Sequence, residues 1–146
     1  MRRRSMLLGL ASLAVAPSVT RAQTRPGWSP TGPLDGREPA SPNDLTTEEQ
    51  RHVPVLVLPR QVRAGRPFDF VVQVGVDPHV MTPAHHIEWV EIAVGEERVF
   101  VADLGPRVAY PIVRVPIVLD APAEVTVRAR CNLHEIWRTR RTVSVT

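Results

Sequence analysis

The fold is decided by the run AEVTVRARCNLHEIW, from Ala123 to Trp137, near the end of a chain of 146 residues. Between Ala123 and Cys131, apolar and polar residues alternate, which is typical of a β-strand with one buried face. Cys131 falls on the apolar face at the end of this strand, and His134 follows in a turn. A thiolate and an imidazole three positions apart can bind one soft or borderline metal ion.

Cys131 is the only cysteine, so it has no disulfide partner within the chain. Taken alone, a buried cysteine is more often a small apolar residue than a metal ligand. The choice between these two interpretations therefore depends on the rest of the chain.

Apolar runs separated by turn signals lie on both sides of this strand. The clearest begins at Phe68, where every second residue up to Val76 is apolar. Pro111 and Pro116 interrupt another run, which predicts an edge or broken strand there. About seven short strands with almost no helix predict an all-β fold, an immunoglobulin-like antiparallel β-sandwich. The predicted strands are 53–58, 68–76, 87–94, 98–104, 108–119, 123–131 and 138–145.

One short helix is predicted over residues 43–50, before the first strand. Asp44 is expected to cap it, and Glu48 and Glu49 lie near its start, where the helix dipole favours acidic side chains. His52 is then expected between this helix and the first strand.

The N-terminal part divides into two segments. Residues 1–22 have a basic head, an apolar stretch and a cleavage site before Gln23, which predicts a signal peptide and export to the periplasm. The run from Arg3 to Leu8 also fits a twin-arginine signal. Residues 23–43 are rich in proline and glycine, which predicts an extended arm that either wraps a neighbour or is mobile. The β-sandwich domain is predicted over residues 44–146.

The charge balance argues against nucleic acid as a partner. All 18 basic residues are arginine, and four of them lie within the predicted signal peptide. The mature chain would hold 14 arginines against 15 acidic residues, so it is near neutral. The apolar part of the signal is too short for a membrane span, and we expect none in the mature chain.

The histidines favour the metal interpretation of Cys131. His52 stands at the start of a strand, and His79 and His85 lie on a loop that two prolines keep from being helical. Each of them, taken singly, is more often a hydrogen-bonded or solvated histidine. Four of the five histidines and the only cysteine nevertheless fall in three short segments beside strands, which favours one shared site. His86 is expected to point away from that site, opposite to Ile87.

These segments resemble the superoxide reductase family, the neelaredoxin and desulfoferrodoxin proteins. The matching stretches are Arg51–Val55, His79–Met81 with His85–Val90, and Cys131–His134 with Trp137. The resemblance covers roughly residue 48 to the C-terminus and implies one mononuclear non-haem iron on an immunoglobulin-like sandwich. It implies one-electron reduction of superoxide to hydrogen peroxide, with an unidentified electron donor and a homo-oligomer. The implied iron ligands are His52, His79, His85, Cys131 and His134.

This sequence departs from the family pattern near the first ligand. The usual Glu-Lys pair before it is replaced by Gln50-Arg51. Arg51 keeps the positive charge that would attract superoxide, but a guanidinium does not readily donate a proton. In the family, the Glu of that pair closes the sixth position of ferric iron; Gln50 is a poorer ligand for this position, and Glu49 or Glu48 would substitute only if the loop shifts. Val80 stands where the family usually has proline, and Glu135 stands where it usually has glycine.

Two other functions remain open from the sequence. A cupredoxin-like copper electron-transfer protein also combines a β-sandwich with a C-terminal cysteine and histidines, but it normally has a methionine shortly after the last histidine. Here the three methionines are at positions 1, 6 and 81. A metal-free sandwich that binds a partner through its arm would leave the histidine clustering unexplained. Trp89 and Trp137 are predicted to be packing residues and not redox relays.

Overall fold

The computed structural model describes residues 25–146, and the predicted signal peptide lies outside these described residues. One helix and seven strands follow in the order α1 (Thr47–His52), β1 (Pro54–Val57), β2 (Phe68–Val74), β3 (Ile87–Val94), β4 (Glu97–Asp103), β5 (Ile112–Ile117), β6 (Ala123–Cys131) and β7 (Glu135–Val143). Over residues 25–146, helices of the length and apolar character needed to cross a membrane are absent.

The strands form two antiparallel sheets that pack face to face. One sheet has the order β1-β2-β5 and the other the order β4-β3-β6-β7. The predicted antiparallel β-sandwich is therefore confirmed, and β3 and β6 begin and end at the residues predicted from the sequence. Pro116 lies in β5, which is an edge strand, as a residue without an N–H group requires.

The core is formed by the alternating apolar residues of the two inner faces. Phe70, Val72 and Val74 of β2 are fully buried, as the period of two predicts. Val125, Val127, Ala129 and Cys131 of β6 pack into the same cluster. Because Cys131 is the last residue of its strand, its sulfur lies at the end of the core, where the loops meet.

Helix α1 begins later than predicted, and its cap is Thr46 and not Asp44. The hydroxyl of Thr46 accepts the N–H of Glu49, and the carboxylate of Glu49 accepts the N–H of Thr46 at 2.7 Å. This capping box satisfies two backbone donors at once, which a single Asp cap cannot do. As a result His52 is the last residue of the helix and not part of a connecting segment.

The described part of the arm, residues 25–42, lies on the outer face of the four-stranded sheet. The carbonyls of Pro33 and Asp35 accept hydrogen bonds from Arg128, and Arg37 forms a parallel bridge with Trp137. The arm therefore wraps its own sandwich, which the sequence did not predict.

The arm buries a face of β6 that the alternation predicts to be exposed. Arg128 is only 2% exposed there, and its Nε lies 2.9 Å from the carboxylate of Glu91, which is fully buried. Arg98 approaches the same carboxylate at 3.3 Å, and the indole N–H of Trp28 donates to it. This charged layer has Glu91 at its centre.

Candidate metal centre

All five predicted ligands meet at one end of the sandwich. His52 ends α1, His79 and His85 lie on the β2–β3 loop, Cys131 ends β6 and His134 lies in the β6–β7 turn. One side-chain atom from each of His52, His85, Cys131 and His134 lies within 4.8 Å of the others. Nε2 of His79 is 3.1 Å from Nε2 of His52, which brings the fifth residue to the same cluster.

The four imidazole rings stand at the corners of a square. The centroid distances along its sides are 4.7 Å for His52–His79, 4.5 Å for His79–His85, 4.9 Å for His85–His134 and 4.7 Å for His134–His52. The diagonal from His52 to His85 is longer, at 6.0 Å. Neighbouring rings meet edge to face, so the four rings surround one central point.

Backbone carbonyls fix which nitrogen faces that point. Nδ1 of His52 lies 2.7 Å from the carbonyl of Glu48, and Nδ1 of His79 lies 2.6 Å from the carbonyl of Val80. Since a carbonyl only accepts, each Nδ1 carries the proton and each Nε2 presents a lone pair. Two lone pairs 3.1 Å apart repel each other unless a cation lies between them.

A further buried nitrogen at the centre has no partner. Nε2 of His85 is shielded from solvent and makes no hydrogen bond. Such orphaned atoms are uncommon in folded proteins and call for an explanation such as an ion. Together with the two facing nitrogens of His52 and His79, Nε2 of His85 gives three imidazole lone pairs that fit a borderline metal ion well.

The protonation states also suit a metal. Burial lowers the pKa of His79 to about 4, and burial likewise lowers the pKa values of His52 and His85. The neighbouring imidazoles lower all three pKa values further. These histidines are therefore neutral near pH 7, which is the form that binds metals.

Cys131 supplies the fifth donor. Its Sγ is buried and lies 3.5 Å from Nδ1 of His134. Burial raises the pKa of the Cys131 thiol, while the backbone N–H groups of Leu133 and His134 act in the opposite direction. A metal ion would displace the thiol proton, and these two amides would then stabilise the thiolate.

The remaining residues near the site have other partners. His86 bonds the carbonyl of Thr82 through Nδ1 and is outside the cluster, as predicted. Asn132, which sequence reasoning missed, accepts from the N–H of His86 and donates to the carbonyl of Ala84. It therefore ties the loop that carries His85 to the β6–β7 turn, which directly follows Cys131. Its position inside the Cys131–His134 motif is the signal that could have identified it.

Of the three residues before His52, Arg51 is exposed, whereas the side chains of Gln50 and Glu49 are hydrogen-bonded within the protein. The charge of Arg51 adds to burial and to the charges of His134 and His86 in lowering the pKa of His85. Gln50 donates its side-chain amide to the carbonyl of Leu45. Glu49 uses one oxygen for Thr46 and the other for the N–H of Ala40. The sixth-position role of Gln50 or Glu49 stays a prediction that would need these bonds to break.

Comparison with known proteins agrees with this geometry. The family model described as Desulfoferrodoxin matches residues 44–140. The desulfoferrodoxin of Clostridium acetobutylicum is 34% identical over 96 residues, which cover 66% of this chain and 66% of that protein. A desulfoferrodoxin homolog of Methanothermobacter thermautotrophicus is 33% identical over 88 residues, 60% of this chain and 62% of that one. A solved superoxide reductase (neelaredoxin) from Ignicoccus hospitalis superposes with a TM-score of 0.60 at 29% identity, over 65% of this chain and 81% of that chain.

Proposed function

Since this chain belongs to the desulfoferrodoxin family, we propose that it is a superoxide reductase. The family binds one iron, and the cluster of His52, His85, Cys131 and His134, with His79 beside it, offers a donor set for that ion. The observation that carries the proposal is the buried square of imidazoles with one thiol beside it. In these 146 residues Cys131 is the only cysteine, which fits a chain with one iron.

The proposed reaction joins one superoxide, one electron and two protons to give hydrogen peroxide. When bound, the iron supplies the electron. The four imidazoles are neutral donors, and Cys131 is the only anionic one. A thiolate donates electron density to the metal and favours release of the reduced oxygen product, as it does in haem proteins.

Arg51 has a distinct part in the proposal. Arg51 directly precedes the ligand His52, and its exposed positive charge would attract the superoxide anion towards the site. The guanidinium stays charged throughout and does not release a proton. We therefore assign the two protons to solvent and assign Arg51 to attraction alone.

We also propose that the protein is exported to the periplasm, on the basis of residues 1–22. Sequencing the N-terminus of the protein isolated from the periplasm tests this. A mature chain that starts at Gln23 supports export, and a cytoplasmic protein that retains residues 1–22 contradicts it.

Metal analysis with an optical spectrum of the oxidised protein tests the proposed site. We expect about one iron per chain and a visible thiolate-to-iron charge-transfer band. Cys131→Ser should abolish the band. His85→Gln should lose iron, whereas His86→Gln, a change at the neighbouring position outside the cluster, should retain it.

Rapid mixing of the reduced protein with superoxide then tests the activity. Consumption of superoxide with formation of hydrogen peroxide supports the reductase. Bound copper with an intense blue band would favour the cupredoxin-like alternative. A protein that takes up no metal under anaerobic preparation would contradict the enzyme assignment.

A further inference from the structure

The metal cluster is connected to the arm through Trp137. This indole is 1% exposed and stacks on the ring of His52, with 5.4 Å between centroids and 20° between planes. Arg37 of the arm lies over the same indole, and its guanidinium carbon is 4.3 Å from the ring centroid. One arginine of the arm thus covers the ring that supports His52.

Arg37 also reaches the second group that fixes His52. Its Nη1 lies 3.0 Å from the carboxylate of Glu48, and the carbonyl of Glu48 accepts the Nδ1 proton of His52. Two contacts of the His52 ring, the stacking on Trp137 and the hydrogen bond to the carbonyl of Glu48, therefore come from residues that the Arg37 side chain touches. Trp137 lies on β7 and Glu48 lies on α1, so the Arg37 side chain bridges a strand and the helix that carries His52.

The backbone of the arm is fixed here without help from that side chain. The N–H of Arg37 donates to the carbonyl of Ile136 at 2.8 Å, and the carbonyl of Arg37 accepts from the N–H of Arg138 at 2.8 Å. The N–H of Ala40 donates to Glu49. A change confined to the Arg37 side chain should leave the arm bound to the sheet.

We propose that Arg37 is a positioning residue for the metal ligand His52. Binding a metal demands that each ligand ring be held close to its working orientation, and groups around a ligand set that orientation. A planar guanidinium suits this task because it stacks on an aromatic ring and bonds a carboxylate at the same time. The inference rests on the proposed function only in that a metal ion is the partner of His52.

Two measurements test the proposal. The first is the rate at which the Nδ1 proton of His52 exchanges with solvent in the metal-free protein, followed by NMR. The second is the affinity for Fe²⁺ under anaerobic conditions. Arg37→Met should speed the exchange and weaken Fe²⁺ binding about tenfold, the low end of what partners of metal ligands contribute.

Arg140→Met is the matched control. Arg140 is exposed to nearly the same extent as Arg37, at 46% against 48%, and it also pairs with a glutamate, Glu38. Within residues 25–146, the side-chain polar contacts of Arg140 are with that glutamate, and its guanidinium stacks on no ring. We expect wild-type exchange and wild-type affinity. Equal values for Arg37→Met and Arg140→Met in both measurements would overturn the proposal.

A second variant keeps the test decisive if Arg37→Met fails to fold. Arg37→Lys keeps the charge beside Glu48 but cannot stack as a plane on Trp137. Exchange faster than in wild type supports the positioning role, and an unchanged rate overturns it. Because the exchange measurement needs no metal and no superoxide, it decides the role of Arg37 even if the wild-type protein proves to bind no iron.

Discussion

The metal centre and the charged layer beneath the arm are both buried and polar, but they satisfy their polar groups differently. At the metal centre, Nε2 of His85 has no partner, and Nε2 of His52 faces Nε2 of His79. Beneath the arm, Glu91 binds two arginines and the indole of Trp28. The first region is incomplete without a ligand, and the second is nearly closed on itself.

This difference indicates how a binding site can be told from structural polarity. Burying an unpaired polar group costs free energy, so a fold retains several such groups in one place only when something from outside pairs with them. The charged layer leaves one atom unpaired, Nη2 of Arg128, and that guanidinium lies over the ring of Trp89. The metal centre has three lone pairs converging on a point, which is the stronger signal of a ligand.

The largest effect should come from breaking the charged layer. Glu91→Gln keeps the side-chain shape but leaves Arg128 buried without its counter-charge, which should lower the free energy of unfolding by about 3–5 kcal/mol. Denaturant titration measures this. Iron uptake by the folded fraction should not change, because the layer closes on itself.

Asp69→Asn is the control for that variant. Asp69 pairs with Arg114 at the surface, where the two side chains are 48% and 68% exposed. Exposed pairs contribute little to stability, so we expect Asp69→Asn to lower the free energy of unfolding far less than Glu91→Gln does. Equal losses for the two variants would show that Glu91 is not the centre of a closed buried layer.

The next largest effect should come from the backbone beside the metal centre. Gly75 has φ +87°, and a Cβ there would lie 2.7 Å from the carbonyl oxygen of Arg51 and closer still to that of Asp77. Gly75→Ala would push β2 away from the end of α1, so we expect a loss of about 3 kcal/mol and loss of iron binding. Denaturant titration and iron content measure the two effects.

Gly95→Ala separates the clash from the backbone strain. Gly95 also has a positive φ, +57°, but a Cβ there meets nothing within 4 Å. The Gly95→Ala variant should lose only about 1 kcal/mol of unfolding free energy and should keep its iron. If Gly75→Ala behaved like Gly95→Ala, the close approach of β2 to α1 would not be what holds the two ligand segments together.

The sequence predicted the metal centre better than the surface around it. Cysteine and histidine are uncommon, and their chemistry limits their roles, so five of them in three segments form a signal that survives uncertainty about the fold. The bounds of β3 and β6 were also predictable, because alternation marks β6 and a turn signal after Val94 ends β3.

The arm and its charged layer were not predictable from alternation. A period of two shows that Arg128 lies opposite Val127, but it cannot show whether another segment covers that polar face. Glu91 reads as an ordinary polar position of β3 for the same reason. The cap of α1 was missed because Asp44 and Thr46 are both good capping residues, although the Thr46-x-x-Glu49 spacing favours Thr46.

A smaller effect is expected at Glu135, the first residue of β7, which directly follows the ligand His134. Glu135 has φ 66°, a left-handed conformation that glycine adopts more readily, and the family usually has glycine there. Glu135→Gly should therefore raise the free energy of unfolding by about 1 kcal/mol. Thermal unfolding of the metal-free protein measures this, and a loss of stability would show that the Glu135 side chain contributes more than its backbone costs.

The smallest effect should be a pH dependence of stability that arises from Glu38 in the arm. The hydrogen bond from Arg140, with further help from Arg138, holds the pKa of Glu38 below its ordinary value of 4.5. Because the folded-state pKa is the lower one, the stabilisation is fully present above about pH 4.5 and is lost as the pH falls through the folded-state value. Glu38 is partly exposed, so the contribution should stay below about 1 kcal/mol.

The measurement compares the unfolding of the metal-free wild type with that of Glu38→Gln between pH 7 and pH 3. Every other carboxylate is common to both proteins, so the difference between their unfolding free energies isolates Glu38. The difference between the two should be largest at pH 7 and shrink towards pH 3, whereas a constant difference would show that the pairing of Glu38 with Arg140 and Arg138 does not stabilise the folded arm.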